Sequence, residues 1–294
     1  MYEQISENKR NTIILVFLFS ILIIFIAWIF GEVLFQGGGT LGIVIGFIFL
    51  IVFVAINYFF GTSIVLGISG AKEVRKEEYP YLFNTIDGLS IAAGLPKPKA
   101  YVIDDTALNA FATGRDPEHG VVVVTTGLLQ KLNRQELEGV IAHEMSHIKN
   151  YDIRLMLIVV VFVGLSALLS DLLLRSVLWG KNDRQEGKFG LVLLVGGIIL
   201  AILTPIIATL IKLAISRQRE YLADASGAML TRNPDGLASA LEKIGSDKEV
   251  LEAANKATAH LYIDNPLKNR RSFFDGMFST HPPIADRIAR LRAM

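Results

Sequence analysis

The stretch GVIAHEMSH, residues 139–147, decides how the rest of the chain is interpreted. It places His143 and His147 four positions apart, with Glu144 directly after the first histidine. On an α-helix, side chains four apart lie over one another on the same face, so both imidazoles can reach a single ion. Imidazole nitrogens in an incomplete tetrahedral shell favour Zn²⁺. The spacing therefore predicts one zinc ion per chain, bound on one face of a helix.

Glu144 is predicted to act beside that ion rather than to bind it. It lies about 100° round the helix from His143, where its carboxylate can take a proton from a water that the ion activates. The three residues match the H-E-x-x-H pattern of zinc metalloproteases. With only five histidines in the chain, the pattern should arise by chance in roughly one such chain in a hundred. Two solvated histidines on a surface helix are the weaker alternative.

The motif helix is predicted to begin at Arg134 and to end at about Lys149. Asn133, with Glu136 three residues later, resembles a capping box that starts a helix. An amphipathic helix and three short strands are predicted before it, at residues 78–94, 99–103, 107–113 and 120–125. Further helices are predicted at about residues 217–230, 236–244, 248–259 and 284–292.

The composition indicates an integral membrane protein. Hydrophobic residues make up 52% of the 294-residue chain, and the mean hydropathy is +0.46, values that soluble domains rarely reach. A formal net charge of +1 provides no strong field for nucleic acid, so we predict no nucleic-acid partner. The absence of cysteine excludes disulfides, thiolate zinc sites and a cysteine nucleophile. Nothing in the composition predicts an oligomeric state.

Four apolar runs predict four transmembrane helices. The spans are expected at about residues 12–30, 41–60, 155–178 and 189–215. They lie in two membrane segments, 1–71 and 155–215, and the polar segments 72–154 and 216–294 form the two halves of one protease domain. A secretory signal peptide is the alternative for the first run. That run is too long, however, and no A-x-A-like cleavage site follows it.

A third zinc ligand is predicted after the second membrane segment. A catalytic zinc site needs three protein ligands and one open position. Glu220 and Asp224 lie four apart, so on a helix their carboxylates share one face. We expect Glu220 to bind the ion and Asp224 to accept the remaining ring N–H of a ligand histidine. The alternative is an ordinary charged helix face, with Arg217 and Arg219 as partners.

The hairpin at residues 155–215 explains how ligands on either side of it can meet. If each ligand helix continues into its span, the antiparallel spans return the chain to one membrane surface. His147 and Glu220 then emerge together, with the ion about 10 Å above the bilayer. Basic residues cluster on this side and are absent from the first opposite loop, 31–40, which predicts a cytoplasmic catalytic domain. The second opposite loop conflicts with this orientation through Lys181, Arg184 and Lys188.

Over nearly its whole length the chain resembles the HtpX family of membrane-bound zinc metalloproteases, relatives of the CAAX prenyl proteases. The resemblance rests on two leading spans, NAFATG at 109–114, the histidine motif, two further spans, Glu220-x-x-x-Asp224, and THPP at 280–283 before Arg287. It implies a mostly α integral membrane protein whose α+β gluzincin-like protease domain contains a small sheet. It also implies a multi-pass endopeptidase of the bacterial plasma membrane that acts in quality control on misfolded or surplus membrane proteins.

The family resemblance also implies a role for His281. Gluzincin relatives use a downstream histidine to stabilise the oxyanion of the transition state, so we expect His281 to do this, with Arg287 behind it. The alternative for His281 is a helix-start residue before a proline pair. His119 and His260 lack any partner pattern and are predicted to lie on the surface.

The family-like motif at 109–114 suggests a substrate site. Asn109, Ala110 and Phe111 are expected on an edge strand that pairs with an extended substrate backbone. A strand of the core explains the same residues equally well.

Two functions from other classes compete with a protease. A small transporter would be expected to show paired charges inside its spans or a pseudo-repeat, and only Asp171 with Arg175 offers either feature. A catalytically silent zinc-binding membrane scaffold would have no need of the intact Glu144. Among proteases, a CAAX-type enzyme with a large intramembrane chamber would need more than four spans.

Overall fold

The computed structural model describes residues 2–35, 37–164, 196, 217–255, 258–267 and 282–294 of the chain. Two long apolar helices, α1 (Tyr2–Leu34) and α2 (Gly39–Ile68), open the fold and pack against each other. Both are long and apolar enough to cross a membrane. They extend beyond the spans expected at 12–30 and 41–60, because regular helical hydrogen bonding continues into the flanking polar and glycine-containing turns.

A small mixed sheet follows the two long helices. Its strands and the helices around it are β1 (Lys72–Glu73), α3 (Pro80–Ala93), β2 (Lys99–Ile103), β3 (Ala110–Thr113), a 3₁₀ turn (Pro117–His119), β4 (Val121–Thr125), α4 (Thr126–Lys131) and α5 (Arg134–Lys149). The strand order is β1-β2-β4-β3; β2 and β4 are parallel, and the other two pairs are antiparallel. This small sheet confirms the α+β character expected of the domain.

Strand β3 is shorter than the predicted 107–113. The backbone N–H of Ala107 donates to the carboxylate of Asp105, and the N–H of Leu108 donates to Asp247. Side chains thus take backbone donors that a longer strand would have used in the ladder, so regular pairing begins only at Ala110.

The chain turns sharply between α5 and the next helix. Asn150 caps α5, Tyr151 adopts a left-handed conformation with φ 62°, and helix α6 is described over residues 152–164. The helix of the histidine motif therefore does not continue without a break into the third apolar run. Most of the third predicted span and all but one residue of the fourth lie outside the described residues.

Three helices complete the described part of the domain. They are α7 (Arg217–Thr231), α8 (Pro234–Ser246) and α9 (Ile284–Arg292), with a 3₁₀ turn at Ala259–Leu261. The helix predicted at 248–259 is wrong. The N–H of Leu251 donates to the carbonyl of Pro266 and that of Glu252 to Asp105, so distant acceptors replace the carbonyls of a helix.

His260 is also placed differently from its prediction as a surface residue. It is buried, and its Nε2 lies 3.4 Å from the carbonyl oxygen of Met156 on α6. The 3₁₀ turn that carries it packs beneath α2 and α6, where Leu261 and Tyr262 join a buried apolar cluster with Val65. Tertiary packing thus buries a histidine that has no local sequence signal. His119 is exposed, as predicted.

Helix α5 runs through the centre of the domain. Nearly all of its residues from Glu136 to Ile148 are buried, between the sheet, α3, α7 and α8. A helix that carries His, Glu and Ser at buried positions must satisfy them internally. The polar cluster on α5 is therefore the feature of the fold that needs a chemical explanation.

Candidate metal centre

The local sequence fixes the start of α5. The side chain of Asn133 accepts a hydrogen bond from the N–H of Glu136 at 3.1 Å, and the carboxylate of Glu136 accepts one from the N–H of Asn133 at 2.8 Å. This reciprocal capping box starts the helix at Arg134, and the helix ends at Lys149; both bounds are confirmed. The histidines consequently lie on one helix face, as their spacing predicts.

Small residues bring the neighbouring helices close to α5. A Cβ atom at Gly227 of α7 would lie 3.0 Å from the backbone nitrogen of His143, and one at Gly139 would lie 2.7 Å from that of Leu237 on α8. Only glycine permits backbones to approach so closely. Because α7 lies against α5 at this distance, side chains one and two turns before Gly227 reach the histidines.

The three predicted ligands are brought together. Nε2 of His143 lies 3.2 Å from Nε2 of His147. The carboxylate of Glu220 is 3.7 Å from the first of these nitrogens and 3.6 Å from the second. All three side chains are buried, and the potential ligand atoms lie within 4.8 Å of one another. The residues that separate them in sequence, from 148 to 219, do not separate them in space.

The ring orientations fit a metal ion. Nδ1 of His143 lies 2.9 Å from Asp224, and Nδ1 of His147 lies 2.9 Å from Asp152. A carboxylate beside Nδ1 favours the tautomer that carries its proton there. Both Nε2 atoms then present lone pairs to each other and to the carboxylate of Glu220. A cation between these atoms turns that repulsion into attraction, so the donor set suits a divalent ion.

Asp224 is held by Arg287. The guanidinium of Arg287 donates to both oxygens of Asp224, at 2.8 and 2.7 Å, and to the carbonyl of Ile263 at 3.0 Å. Burial alone would raise the pKa of Asp224, but the charge of Arg287 outweighs it and holds that pKa well below its usual range. The contact between Asp224 and His143 is short, although the ring N–H does not point directly at the oxygen.

Arg287 belongs to the same group of side chains. The expectation that it lies behind His281 stays a prediction, because His281 lies outside the described residues. Arg287 is fully buried beside the ligands, with Nη2 3.5 Å from Nε2 of His143 and Nη1 3.8 Å from Glu220. Its principal contact is the pair with Asp224, so its charge acts mainly through that carboxylate.

Asp152 and Asn8 belong to the same network, although no pattern in the sequence indicates them. Asp152 bonds to His147 through one oxygen and to Asn8 through the other. In a continuous helix a residue five positions after His147 would not share its face. The left-handed turn at Tyr151 brings Asp152 back. Asn8 resembles an ordinary polar flank of an apolar run, and no local pattern distinguishes it.

The pKa of Glu144 lies near neutral pH in the absence of a metal ion. Burial is the main cause that raises its pKa to about 7; Glu220 acts in the same direction, whereas His147 and the backbone N–H of Ala112 oppose it. For His147 in the absence of a metal ion, burial alone would lower the pKa, but Asp152, Glu220 and Glu144 together raise it to about 9. The Nε2 atom of this ring therefore gives up a proton when it binds an ion. The protein therefore collects negative charge around the histidines, which favours a bound cation.

The edge-strand position expected for Asn109, Ala110 and Phe111 is confirmed in part. Ala110 and Phe111 lie on β3 at the edge of the sheet, but all three residues are buried. The N–H of Ile263 donates to the carbonyl of Ala110 at 2.9 Å, and Asn109 bonds to the backbone of Asp264. The chain itself thus occupies the outer edge of β3, and substrate pairing there stays a prediction.

Comparison with known protein families agrees with a metal centre at His143, His147 and Glu220. The sequence pattern of Peptidase family M48 matches residues 76–294. The chain belongs to peptidase family M48. The family identifies it as a metalloprotease, and the buried group of His143, His147 and Glu220 supplies a fitting metal site.

Curated relatives of this M48 chain are HtpX proteases. "Protease HtpX homolog" of Dictyoglomus thermophilum is 54% identical over all of this chain and 94% of its own length. The homologue of Thermoanaerobacter pseudethanolicus is 46% identical, with 100% and 98% covered. That of Streptococcus uberis is 43% identical, with both chains covered fully. The resemblance to the HtpX family is confirmed.

A solved structure shares the fold of this M48 chain. The crystal structure of S. mikatae Ste24p superposes with a TM-score of 0.52 over 99% of this chain and 66% of that one, at 19% identity. The match, the HtpX relatives and the two apolar helices indicate a membrane protein with a metalloprotease fold.

Proposed function

We propose that this M48 protease is a zinc-dependent endopeptidase that cleaves misfolded or surplus membrane proteins at the cytoplasmic face of the bacterial plasma membrane. The observation that carries the proposal is the convergence of His143, His147 and Glu220 in a buried cluster, with a carboxylate beside Nδ1 of each ring. A surface pair of histidines would have neither the third donor nor the carboxylates.

Zinc is the proposed metal, with one ion per chain. Two imidazoles and one carboxylate form a donor set that catalytic zinc sites use, leaving one position for the reacting groups. Bound there, zinc supplies Lewis acidity toward a carbonyl oxygen and toward water. Asp224 and Asp152 hold the two imidazoles in the tautomer that binds such an ion.

Glu144 is the proposed general base. It follows His143 directly on α5, is buried, and accepts a hydrogen bond from the backbone N–H of Ala112. That hydrogen bond orients the carboxylate without neutralising it. Burial raises the pKa of this carboxyl group above its ordinary value, and a raised pKa suits a group that takes a proton from the attacking water and returns it to the leaving amine. A carboxylate with an ordinary pKa would be a weaker base and a poorer acid at neutral pH.

Arg287 and His281 are the proposed stabilisers of the transition state. Arg287 places a fixed positive charge beside the ligands, with Nη2 3.5 Å from Nε2 of His143. Its two hydrogen bonds to Asp224 keep that charge in place. We assign the donor to the developing oxyanion to His281, because Arg287 is already engaged with Asp224.

The proposed cytoplasmic orientation agrees with the distribution of cations around the ends of the apolar helices. Lys9 of α1 and Arg154 of α6 both lie over the ring of Tyr151, at 4.3 and 5.0 Å from its centroid. Arg115 lies 5.0 Å from the ring centroid of Tyr58 on α2. These cations share the side of the helices that carries the metal centre, where the positive-inside rule expects them. Membrane-resident substrates would reach the site from this surface. We propose Asn109, just before β3, and Ala110 and Phe111 on β3 as their backbone contact.

Substitution of the base tests the proposal. Glu144→Gln keeps the size and burial of the side chain but removes its basicity. We expect at least about a hundredfold loss of casein cleavage, with zinc content by atomic emission unchanged. Glu138→Gln, a partly exposed position on the same helix, is the control and should retain wild-type activity. Near-wild-type cleavage by Glu144→Gln would exclude Glu144 as the base, and cleavage that survives a zinc chelator would exclude the metal mechanism.

A further inference from the structure

The N-terminal part of α1 contributes a buried polar residue to the metal centre. Asn8 is 2% exposed. Further along α1, the apolar residues Leu15, Phe19 and Ile23 pack with Leu155, Val159 and Phe162 of α6. This apolar contact sets the position of α1 against α6. Asn8 is thereby brought beside the first residues of α6 and the end of α5, 144 positions away in sequence from Asp152.

The hydrogen bonds of Asn8 fix its orientation. Its Nδ2 donates to Oδ1 of Asp152 at 2.5 Å and to the carbonyl of Asn150 at 2.9 Å. Its Oδ1 accepts from Nη1 of Arg219 at 2.9 Å. Two acceptors lie on one side of the amide and a cationic donor on the other, so the reversed amide would lose all three bonds. The amide is therefore a fixed element between three parts of the chain.

Asp152 connects Asn8 to a metal ligand. One oxygen of Asp152 accepts from Asn8, and the other lies 2.9 Å from Nδ1 of His147. Arg219 also approaches, with Nε 3.9 Å from Oδ1 of Asp152. Asn8, Asp152 and His147 are all buried, where a hydrogen bond is strong and a missing one is expensive. The direction of the His147 ring thus depends on a carboxylate whose other oxygen is held by α1.

We propose that Asn8 is a positioning residue of the metal centre, which acts through Asp152 to orient His147. The inference rests on the proposed metal ligands and adds that the first apolar helix is a working part of the site as well as a membrane anchor. Without the Asn8 amide, Asp152 can rotate away from His147, and the ring loses its preferred direction. The consequence is weaker metal binding with little change elsewhere in the fold.

Metal affinity measured with Co²⁺ tests this role directly. The full-length chain in detergent is titrated with Co²⁺ against a competing chelator, and the visible absorption bands report the ligand field. Asn8→Ala should weaken Co²⁺ binding about tenfold, the low end of the range for groups that orient a ligand. Thr12→Ala is the matched control. Thr12 is buried one turn further along α1, but among the described residues its hydroxyl bonds only to the carbonyl of Asn8. The Co²⁺ affinity of Thr12→Ala should stay within about twofold of the wild-type affinity, and its absorption bands should match those of wild type.

A second variant keeps the test valid if Asn8→Ala does not fold. Asn8→Asp retains an acceptor for Arg219 but turns a carboxylate toward Asp152 in place of the donor. It should weaken Co²⁺ binding at least as much as Asn8→Ala. Thermal unfolding of the metal-free proteins separates a general loss of stability from a change at the site, because the first lowers the midpoint without altering affinity or bands.

A double-mutant cycle identifies the route through Asp152. Asp152→Asn should weaken Co²⁺ binding about 10–100-fold. Adding Asn8→Ala to Asp152→Asn should weaken Co²⁺ binding by no more than about a further twofold, because the carboxylate through which Asn8 acts is already absent. Two results overturn the inference: both Asn8 variants binding Co²⁺ like wild type, or the Asn8→Ala loss adding in full to that of Asp152→Asn. If the wild-type chain binds no Co²⁺ at one equivalent, the proposed metal site fails first and the inference with it.

Discussion

The two histidines of the metal centre are oriented from opposite ends of the chain. His143 faces Asp224 of α7, which Arg287 of α9 holds with two charged hydrogen bonds. His147 faces Asp152 at the start of α6, which a neutral amide on α1 holds from the other side. Both supports are buried and place a carboxylate beside Nδ1. They differ in charge, in their distance along the chain and in the part of the molecule that anchors them.

The difference separates a support within the protease domain from a support by the membrane region. The Asp224 support joins α7 and α9, which pack together beside α5. The Asp152 support joins α6 and α1, which meet through an apolar cluster. A change in the arrangement of the apolar helices therefore reaches His147 before it reaches His143. His143 is thus supported from α7 and α9, whereas His147 is supported through a contact with the apolar helix α1.

Among the changes to the two supports, removal of Arg287 should have the largest effect, and it should lower the stability of the protein. Arg287→Ala leaves the carboxylate of Asp224 buried without its cation, which costs about 3–5 kcal/mol. Arg287→Lys should recover only part of this, because an ammonium group cannot make the same two parallel bonds. Urea or thermal unfolding in detergent measures the loss. Arg292→Ala is the control and should unfold like wild type. Arg292 lies on the same helix as Arg287, and the variant removes only its exposed ion pair with Glu242 of α8. Equal stability of the Arg287→Ala and Arg292→Ala proteins would contradict the importance of the charged support.

The residue between the two histidines should produce the next largest effect. The pKa of Glu144 is raised from 4.5 to about 7 in the folded protein, so the folded state holds more protons than the unfolded state between these values. Stability of the metal-free protein should therefore fall as pH rises from 4.5 to 7, by roughly 3 kcal/mol from this group. Glu144→Gln removes this contribution. The measurement is the difference in the free energy of unfolding between wild type and Glu144→Gln, taken at pH 5 and at pH 8. A difference that does not change with pH would show that folding does not raise the pKa of Glu144.

The two carboxylates themselves should have a smaller and unequal effect. Asp224→Asn and Asp152→Asn should each weaken zinc binding about 10–100-fold, because each ring loses the acceptor that fixes its tautomer. We expect the larger loss for Asp224→Asn, since Arg287 then places an uncompensated charge beside His143 and Glu220. Chelator competition measures both affinities. A larger loss for Asp152→Asn would reverse the order of the two supports.

The smallest effect is expected at the start of the motif helix. Asn133→Ala removes half of the capping box and should lower stability by about 1 kcal/mol. The histidines lie in the third and fourth turns of α5, beyond the reach of the cap, so zinc affinity should stay unchanged. Thermal unfolding and chelator competition on one preparation test both statements. A parallel loss of affinity would show that the position of the helix, as well as its tertiary contacts, sets the site.

Local sequence patterns predicted the parts of the site that depend on one helix. The capping box gave the start of α5, and four-residue spacing placed His143 with His147 and Glu220 with Asp224. These features follow from helix geometry alone. The meeting of the two helices was also predicted, because a membrane hairpin must return the chain to the surface it left.

Long-range contacts account for what the sequence did not predict. Asp152 reaches His147 only because Tyr151 is left-handed, and Asn8 reaches Asp152 only through the packing of α1 on α6. The segment expected as a helix at 248–259 bonds instead to Asp105 and Pro266, residues that no local pattern could reveal. The burial of His260 has the same origin. Each of these outcomes depends on partners distant in sequence.

The protected rim of the sheet has a consequence for behaviour in a crowded membrane. An open strand edge is a template on which a neighbouring polypeptide can add itself. Here the amide of Ala110 is bonded to Asn109, its carbonyl to Ile263, and the amide of Ala112 to Glu144. The opposite rim, β1, is only two residues long. A protease proposed to act on misfolded chains thus offers them little exposed strand edge on which to aggregate. A substrate strand can pair with β3 at Ala110 only by displacing the segment that contains Ile263.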